Sequence, residues 1–142
     1  MTRYNTNLAA EFYVLSMLYR LGVDASLTLG NKKAVDIVVA YKAGRTATID
    51  VKGLVGRYDW PADNIRLPAE GRHFFVLVSF EGKINDPLCS PSAWVIPAKY
   101  LQPFLHKYKV RTVIPRARVK KNGKKFLHAW WRIARDRPDA LK

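Results

Sequence analysis

The chain has 142 residues, 25 Lys/Arg against 11 Asp/Glu for a net charge of +14, and 49% hydrophobic content. That apolar content excludes a disordered basic tail, and the length suits one domain with a modest core. The lone cysteine, Cys89, excludes an internal disulfide and a Cys/His zinc cluster, and no apolar run approaches membrane-spanning length.

The first predicted element is a helix over Thr6 to Leu21, ended by Gly22. Leu8, Leu15 and Leu18 recur at helical spacing and form the expected buried stripe. Glu11 lies three residues after Leu8 and four before Leu15, so a carboxylate points along that apolar face. It either snorkels to water at the edge of the stripe or answers a buried base.

Three strands are expected next: a weak one over Ala25 to Leu29, then strong ones over Ala34 to Tyr41 and Thr46 to Lys52. Ala43-Gly44 turns the last two into an antiparallel hairpin. Asp36 opens one arm and Asp50 lies near the end of the other, so antiparallel pairing brings both carboxylates to one end of the sheet. Period-2 geometry then puts Asp50 and Lys52 on the same face of their strand, with Val51 on the other. Opposite charges aimed the same way from a half-buried strand are costly unless they hold something.

Gly53 to Gly71 contains Pro61 and Pro68 and has no clean periodicity, so it reads as a long loop with at most one helical turn. Tyr58 and Trp60 within it either stack on a splayed base or anchor the loop to the core, and the anchoring role is the preferred one. His73 to Phe80 is a continuous apolar run, expected as a buried central strand. A short strand over Trp94 to Ile96 leads through Pro97 into a predicted helix over Ala98 to Tyr108. Beyond it, Asn122-Gly123 suits a hairpin turn between basic arms, while Phe126 to Arg135 also fits a helix with Trp130 and Ile133 inward. The three histidines show no ligand spacing.

The positive charge is uneven. Residues 1 to 110 hold 14 Lys/Arg against 9 Asp/Glu, and residues 111 to 142 hold 11 against 2. A basic C-terminal segment on a near-ordinary body points to a polyanion, most simply nucleic acid. Arg116, Arg118, Lys120, Lys121, Lys124 and Lys125 read as an arm for a duplex backbone. Lys32, Lys33, Arg57, Arg66 and Arg72 are further candidates for phosphate contacts, which position a nucleic acid without reading its sequence.

Glu11 on the first helix, then Val35-Asp36, then Asp50-Val51-Lys52 is an order that resembles the PD-(D/E)XK nuclease superfamily, nearest its Holliday-junction-resolvase-like and small-nuclease branches. Val35 stands where the nominal proline would be, and the Arg-Gly usual upstream of the resolvase glutamate is missing. The resemblance implies a restriction-endonuclease-like α/β fold: a central mixed sheet of about four to five strands flanked by helices, in αβββαβ order. It covers about residues 7 to 97. The expected layout is a nuclease-like core over 1–110 and a basic extension over 111–142 packed on the same domain.

The resemblance further implies an Mg²⁺- or Mn²⁺-dependent endonuclease acting on DNA, including branched or junction DNA. Asp36, Asp50 and the Val51 backbone carbonyl would hold the cation, with Glu11 a further ligand, and Lys52 would orient the attacking water. The competing expectations are a non-catalytic nucleic-acid-binding module and a subunit of a larger DNA-processing complex. In that case Asp36 is a strand-entry turn residue and Asp50 with Lys52 is a surface ion pair. A homodimer is expected if two strands are cut, and the expected location is the cytoplasm, with no membrane contact.

Overall fold

The computed structural model describes residues 2–28 and 35–136. Helix α1 (Arg3–Arg20) begins at Thr2, whose side chain accepts a hydrogen bond from the Asn5 N–H, so one of the orphan amides of the first turn is satisfied. It stops where Gly22 takes a left-handed conformation (φ 74°). There the Val23 N–H reaches back to the Leu18 carbonyl at 2.9 Å.

The buried face of α1 is Thr6, Ala10, Glu11, Val14 and Leu18. Leu8 and Leu15, expected in the buried stripe, are only half-buried at its flank. The reason is a close approach to the sheet. A Cβ placed on Gly53 would stand 2.9 Å from both the Ala10 Cβ and the Thr6 carbonyl oxygen. Only small side chains fit at that contact, so the leucines are displaced to one side.

The main sheet has five strands in the order β1-β2-β3-β5-β6, namely Asp24–Leu27, Ile37–Ala40, Thr46–Leu54, His73–Ser79 and Ser92–Pro97. β1, β2 and β3 are antiparallel neighbours. The β2–β3 turn uses two consecutive positive-φ residues, Ala43 (61°) and Gly44 (74°), as the dipeptide suggests. β5 then lies parallel to β3, and β6 returns antiparallel to β5. β5 is buried at all seven positions, as its unbroken apolar run requires of a central strand.

A parallel pair needs a crossover, and here it contains no helix. Residues 55–72 make the crossing through turns and the two-residue strand β4 (Trp60–Pro61). The expected αβββαβ order is therefore corrected at its second helix. Pro61 and Pro68 interrupt any helical run, and Trp60, wholly buried, is pinned by its indole N–H donating to the Val78 carbonyl at 3.2 Å. β4 pairs with β8 (Thr112–Ile114), which pairs with β7 (His106–Lys107), making a small second sheet.

Two further expectations fail locally. The predicted helix over Ala98 to Tyr108 is instead a pair of single 3₁₀ turns, Ala98–Tyr100 and Gln102–Phe104, followed by β7. Pro103 lacks the amide that a continuing helix would need. The hairpin at Asn122-Gly123 is absent. Arg116–Asn122 is helix α2, and Gly123 ends it with its N–H donating to the Val119 carbonyl.

The sheet separates two apolar layers. On one face α1 packs over Ile37, Ile49, Val51, Phe74, Val76 and Val95. On the other lie Leu54, Trp60, Phe75, Leu77, Trp94, Ile96 and Ile114. The C-terminal segment serves both layers. Val119 and Phe126 enter the second. The chain then crosses the free edge of β6, where the His128 N–H donates to the Ala93 carbonyl at 2.7 Å. Finally Ala129, Trp130 and Ile133, the last in helix α3 (Trp131–Ala134), enter the first. That wrap covers an edge strand that would otherwise invite pairing. Among the described residues no helix is long and apolar enough to cross a membrane.

Candidate active site at the end of the third strand

β2 stops pairing with β3 at Ile37, opposite Ile49, whereas β3 runs on to Leu54 beside β5. Among the described residues, the backbone of β3 beyond Ile49 therefore has no strand partner on its β2 side. Asp36 fills the first gap. Its N–H donates to the Ile49 carbonyl at 3.0 Å, and its Oδ2 accepts from the Val51 N–H at 2.7 Å. A carboxylate thus replaces the missing strand partner of Val51. Because the N–H and C=O of one strand residue point the same way, the Val51 carbonyl opens toward the same gap.

Alternation along β3 places Asp50 and Lys52 on the face opposite Ile49 and Val51, the face expected from their spacing. Asp50 lies beside β5, where its Oδ2 meets His73 Nε2 at 3.2 Å. The other ring nitrogen of His73 is 2.6 Å from Thr48 Oγ1. Thr48, His73 and Asp50 thus form one hydrogen-bonded chain that fixes the carboxylate. Lys52 donates to the Asn64 side-chain oxygen at 2.7 Å. Burial lowers the Lys52 pKa from its ordinary 10.5, and the carboxylates of Asp50, Asp36 and Asp63 work against that shift. All three acids are therefore within electrostatic reach of one partly desolvated amine.

Glu11 is buried, 4% exposed, as its place on the apolar face predicted. It belongs to the helix on the opposite face of the sheet from Asp50 and Lys52. Among the described residues, no three His, Cys, Asp or Glu side chains gather closely enough to hold a metal ion. The donor chemistry of Asp36, Asp50 and the Val51 carbonyl still suits a hard, oxygen-seeking cation.

A cleft of about 770 Å³ opens from this end of β3. Its walls come from the start of α1 (Arg3, Thr6, Asn7), from Lys52 to Val55, from the crossover (Tyr58, Asn64) and from Arg111. Two crossover acids also line it. Asp59 accepts from the Arg116 N–H at 3.0 Å and Asp63 from the Thr112 N–H at 2.6 Å.

The cations expected to meet phosphate divide sharply. Arg72 is a structural clamp: it donates to the carbonyls of Arg132 and Arg135, pairs with Asp136 at 3.4 Å and lies over the Tyr41 and Phe74 rings. Arg116 and Lys120 are drawn to Glu81. Arg118 donates to the Leu105 carbonyl at 3.1 Å and lies 3.3 Å from His106 Nδ1. Arg66 bonds back to the Asp63 carbonyl. Lys125 sits over the rings of Tyr100 and Phe126. Arg57, Lys121 and Lys124 are exposed, and Lys32 and Lys33 lie outside the described residues.

His73, Asn64, Arg3 and Arg111 were not singled out from sequence. Only the parallel register that sets Thr48 opposite His73 could have identified the histidine, and parallel pairing across an 18-residue connection leaves no local signal. Taken together, the architecture defines an α/β chain built on a mixed five-stranded sheet. Compared with known proteins, the chain matches no family model, no curated protein and no solved structure.

Proposed function

We propose that the chain is a metal-dependent endonuclease of the restriction-endonuclease-like kind that hydrolyses DNA phosphodiester bonds, branched or junction DNA included. The observation that carries this reading is the meeting of Asp36, Asp50 and a partly desolvated Lys52 where β3 loses its strand partner. Asp36, Asp50 and the Val51 carbonyl would hold Mg²⁺ or Mn²⁺, which supplies charge stabilisation and a more acidic water when bound. Asp36 is oriented by the Val51 amide and Asp50 by His73, so neither carboxylate must be ordered when a substrate arrives. Lys52 Nζ, steadied by Asn64, is aimed to orient a water and to offset negative charge on the phosphoryl oxygens. Its lowered pKa makes a proton easier to give up there than at an exposed lysine.

A second reading is a non-catalytic nucleic-acid-binding module, alone or within a larger DNA-processing complex. It is favoured by the lack of a three-ligand cluster among the described residues. The deciding experiment incubates the pure protein with plasmid, linear duplex and four-way-junction DNA, in Mg²⁺ or Mn²⁺ and in EDTA. Cutting that needs the metal and vanishes in Asp50→Asn and Lys52→Ala, with DNA affinity retained, supports the enzyme. DNA binding without cutting on any substrate supports the module.

A further inference from the structure

The proposed chemistry touches the cleft beside it only through Lys52, and the cleft's composition is specific. Its cationic groups are Arg3, Lys52 and Arg111. Asp59 and Asp63 in its walls each accept from a backbone amide, and the three cations against these two acids leave the lining with a small positive excess. Tyr58 borders the cleft with 81% of its surface exposed. Its neighbour Trp60 is wholly buried and does the anchoring that either aromatic could have done. Tyr58 is therefore spare: a large ring held at the edge of a cationic slot, with no core to join.

We infer that this cleft takes a single unpaired nucleic-acid strand, with its phosphates along Arg3, Lys52 and Arg111 and one base stacked on Tyr58. The inference rests on the nuclease reading for its meaning, since Lys52 is common to both sites, but it concerns which substrate form enters. A volume of about 770 Å³ is that of a small-ligand cleft, enough for a few groups of one strand. A duplex also keeps its base faces stacked inward, leaving nothing for Tyr58 to cover. An unpaired strand offers both a flexible polyanion and free π-faces, which is what cationic grooves with aromatic platforms bind. Flaps, gaps, frayed ends and splayed junction arms would then be preferred over intact duplex.

The test measures binding of fluorescein-labelled oligo(dT) and of a hairpin duplex of equal charge by anisotropy in EDTA, so that no cutting intrudes. Tyr58→Ala is expected to weaken oligo(dT) binding about tenfold and to leave the duplex unchanged, with Tyr58→Trp restoring the affinity. Arg3→Ala with Arg111→Ala should lower the salt slope for oligo(dT) by about 1.4. Equal affinity of Tyr58→Ala and the parent for oligo(dT) would overturn the inference, as would equal losses on strand and duplex. Cleavage assays of Asp50→Asn are run in parallel. Loss of cutting there with an inert Tyr58 refutes the strand cleft alone. A Tyr58 effect on binding by a protein that never cuts refutes the nuclease reading and keeps the cleft.

Discussion

The end of β3 and the basic segment from Arg116 to Lys125 are both charge-rich, and they use their charge in opposite ways. At β3 the charged side chains are drawn together around a gap in the sheet. Asp36 bonds to backbone, Asp50 to a histidine and Lys52 to an asparagine, and Lys52 also borders a cleft. In the basic segment much of the charge is already engaged by the chain's own groups. Arg116 and Lys120 meet Glu81, Arg118 caps carbonyls of the Gln102–Phe104 turn and its exit, and Lys125 covers two rings. Lys120, Lys121, Lys124 and Lys125 all remain exposed, the first tied to Glu81 and the last resting on two rings. The density of charge in a sequence therefore does not measure the charge offered to a partner. What matters is how many of those groups the fold has already bonded.

The sharpest way to break this comparison is at Asp50. If the end of β3 is the chemical site, Asp50→Asn should reduce DNA cleavage on the order of a thousandfold, read as single-turnover rates on labelled DNA. A loss below tenfold would leave the two regions without the distinction drawn between them. His73→Ala should lower the rate by about ten- to a hundredfold by releasing the Asp50 carboxylate, with partial recovery in His73→Gln.

Next in size is a packing effect. Gly53→Ala must displace Ala10 or the Thr6 carbonyl, so unfolding by urea should show a loss of about 1 to 3 kcal/mol. No change would mean that α1 does not press on β3 as described.

The basic segment is sharpened by contrast within it. Arg118→Ala should cost about 1 to 2 kcal/mol in the same assay, because the Leu105 carbonyl loses its charged donor. Lys124→Ala should be neutral within about 0.5 kcal/mol. In binding the order reverses. Lys121→Ala with Lys124→Ala should flatten the salt dependence for duplex DNA by about two units of slope, and Arg118→Ala should leave it unaltered.

The smallest expected effect is acid sensitivity at Glu81. Burial acts to raise its pKa, but Lys120 and Arg116 outweigh it and hold the carboxyl below its ordinary 4.5. A carboxyl lowered in the folded state adds stability that is present above the unfolded pKa and fades as pH falls through the folded one. The parent should thus lose roughly 1 kcal/mol more than Glu81→Gln between pH 6 and pH 3. Parallel curves for the two proteins would remove Glu81 as the tie between α2 and the sheet.

Local pattern determined a good deal by itself. Alternation placed Asp50 and Lys52 on one face, the Ala43-Gly44 dipeptide closed the hairpin that carries Asp36 to the same end, and the unbroken run from His73 announced a central strand. Glu11 was correctly turned inward by helical spacing. These readings rest on periods of 2 and 3.6 residues, which act over a few neighbours and need no knowledge of the rest of the chain.

Tertiary structure alone decided the remainder, because each part depends on residues far apart in sequence. Thr48 and Asp50 meet His73 only through parallel pairing after a long crossover, and the face of the sheet that α1 covers separates Glu11 from Asp50. The fate of the basic residues was equally invisible. A lysine or arginine reads the same in sequence whether its nearest acceptor is water, Glu81 or a carbonyl thirteen residues away. Charge is written locally, but its neutralisation is a property of packing.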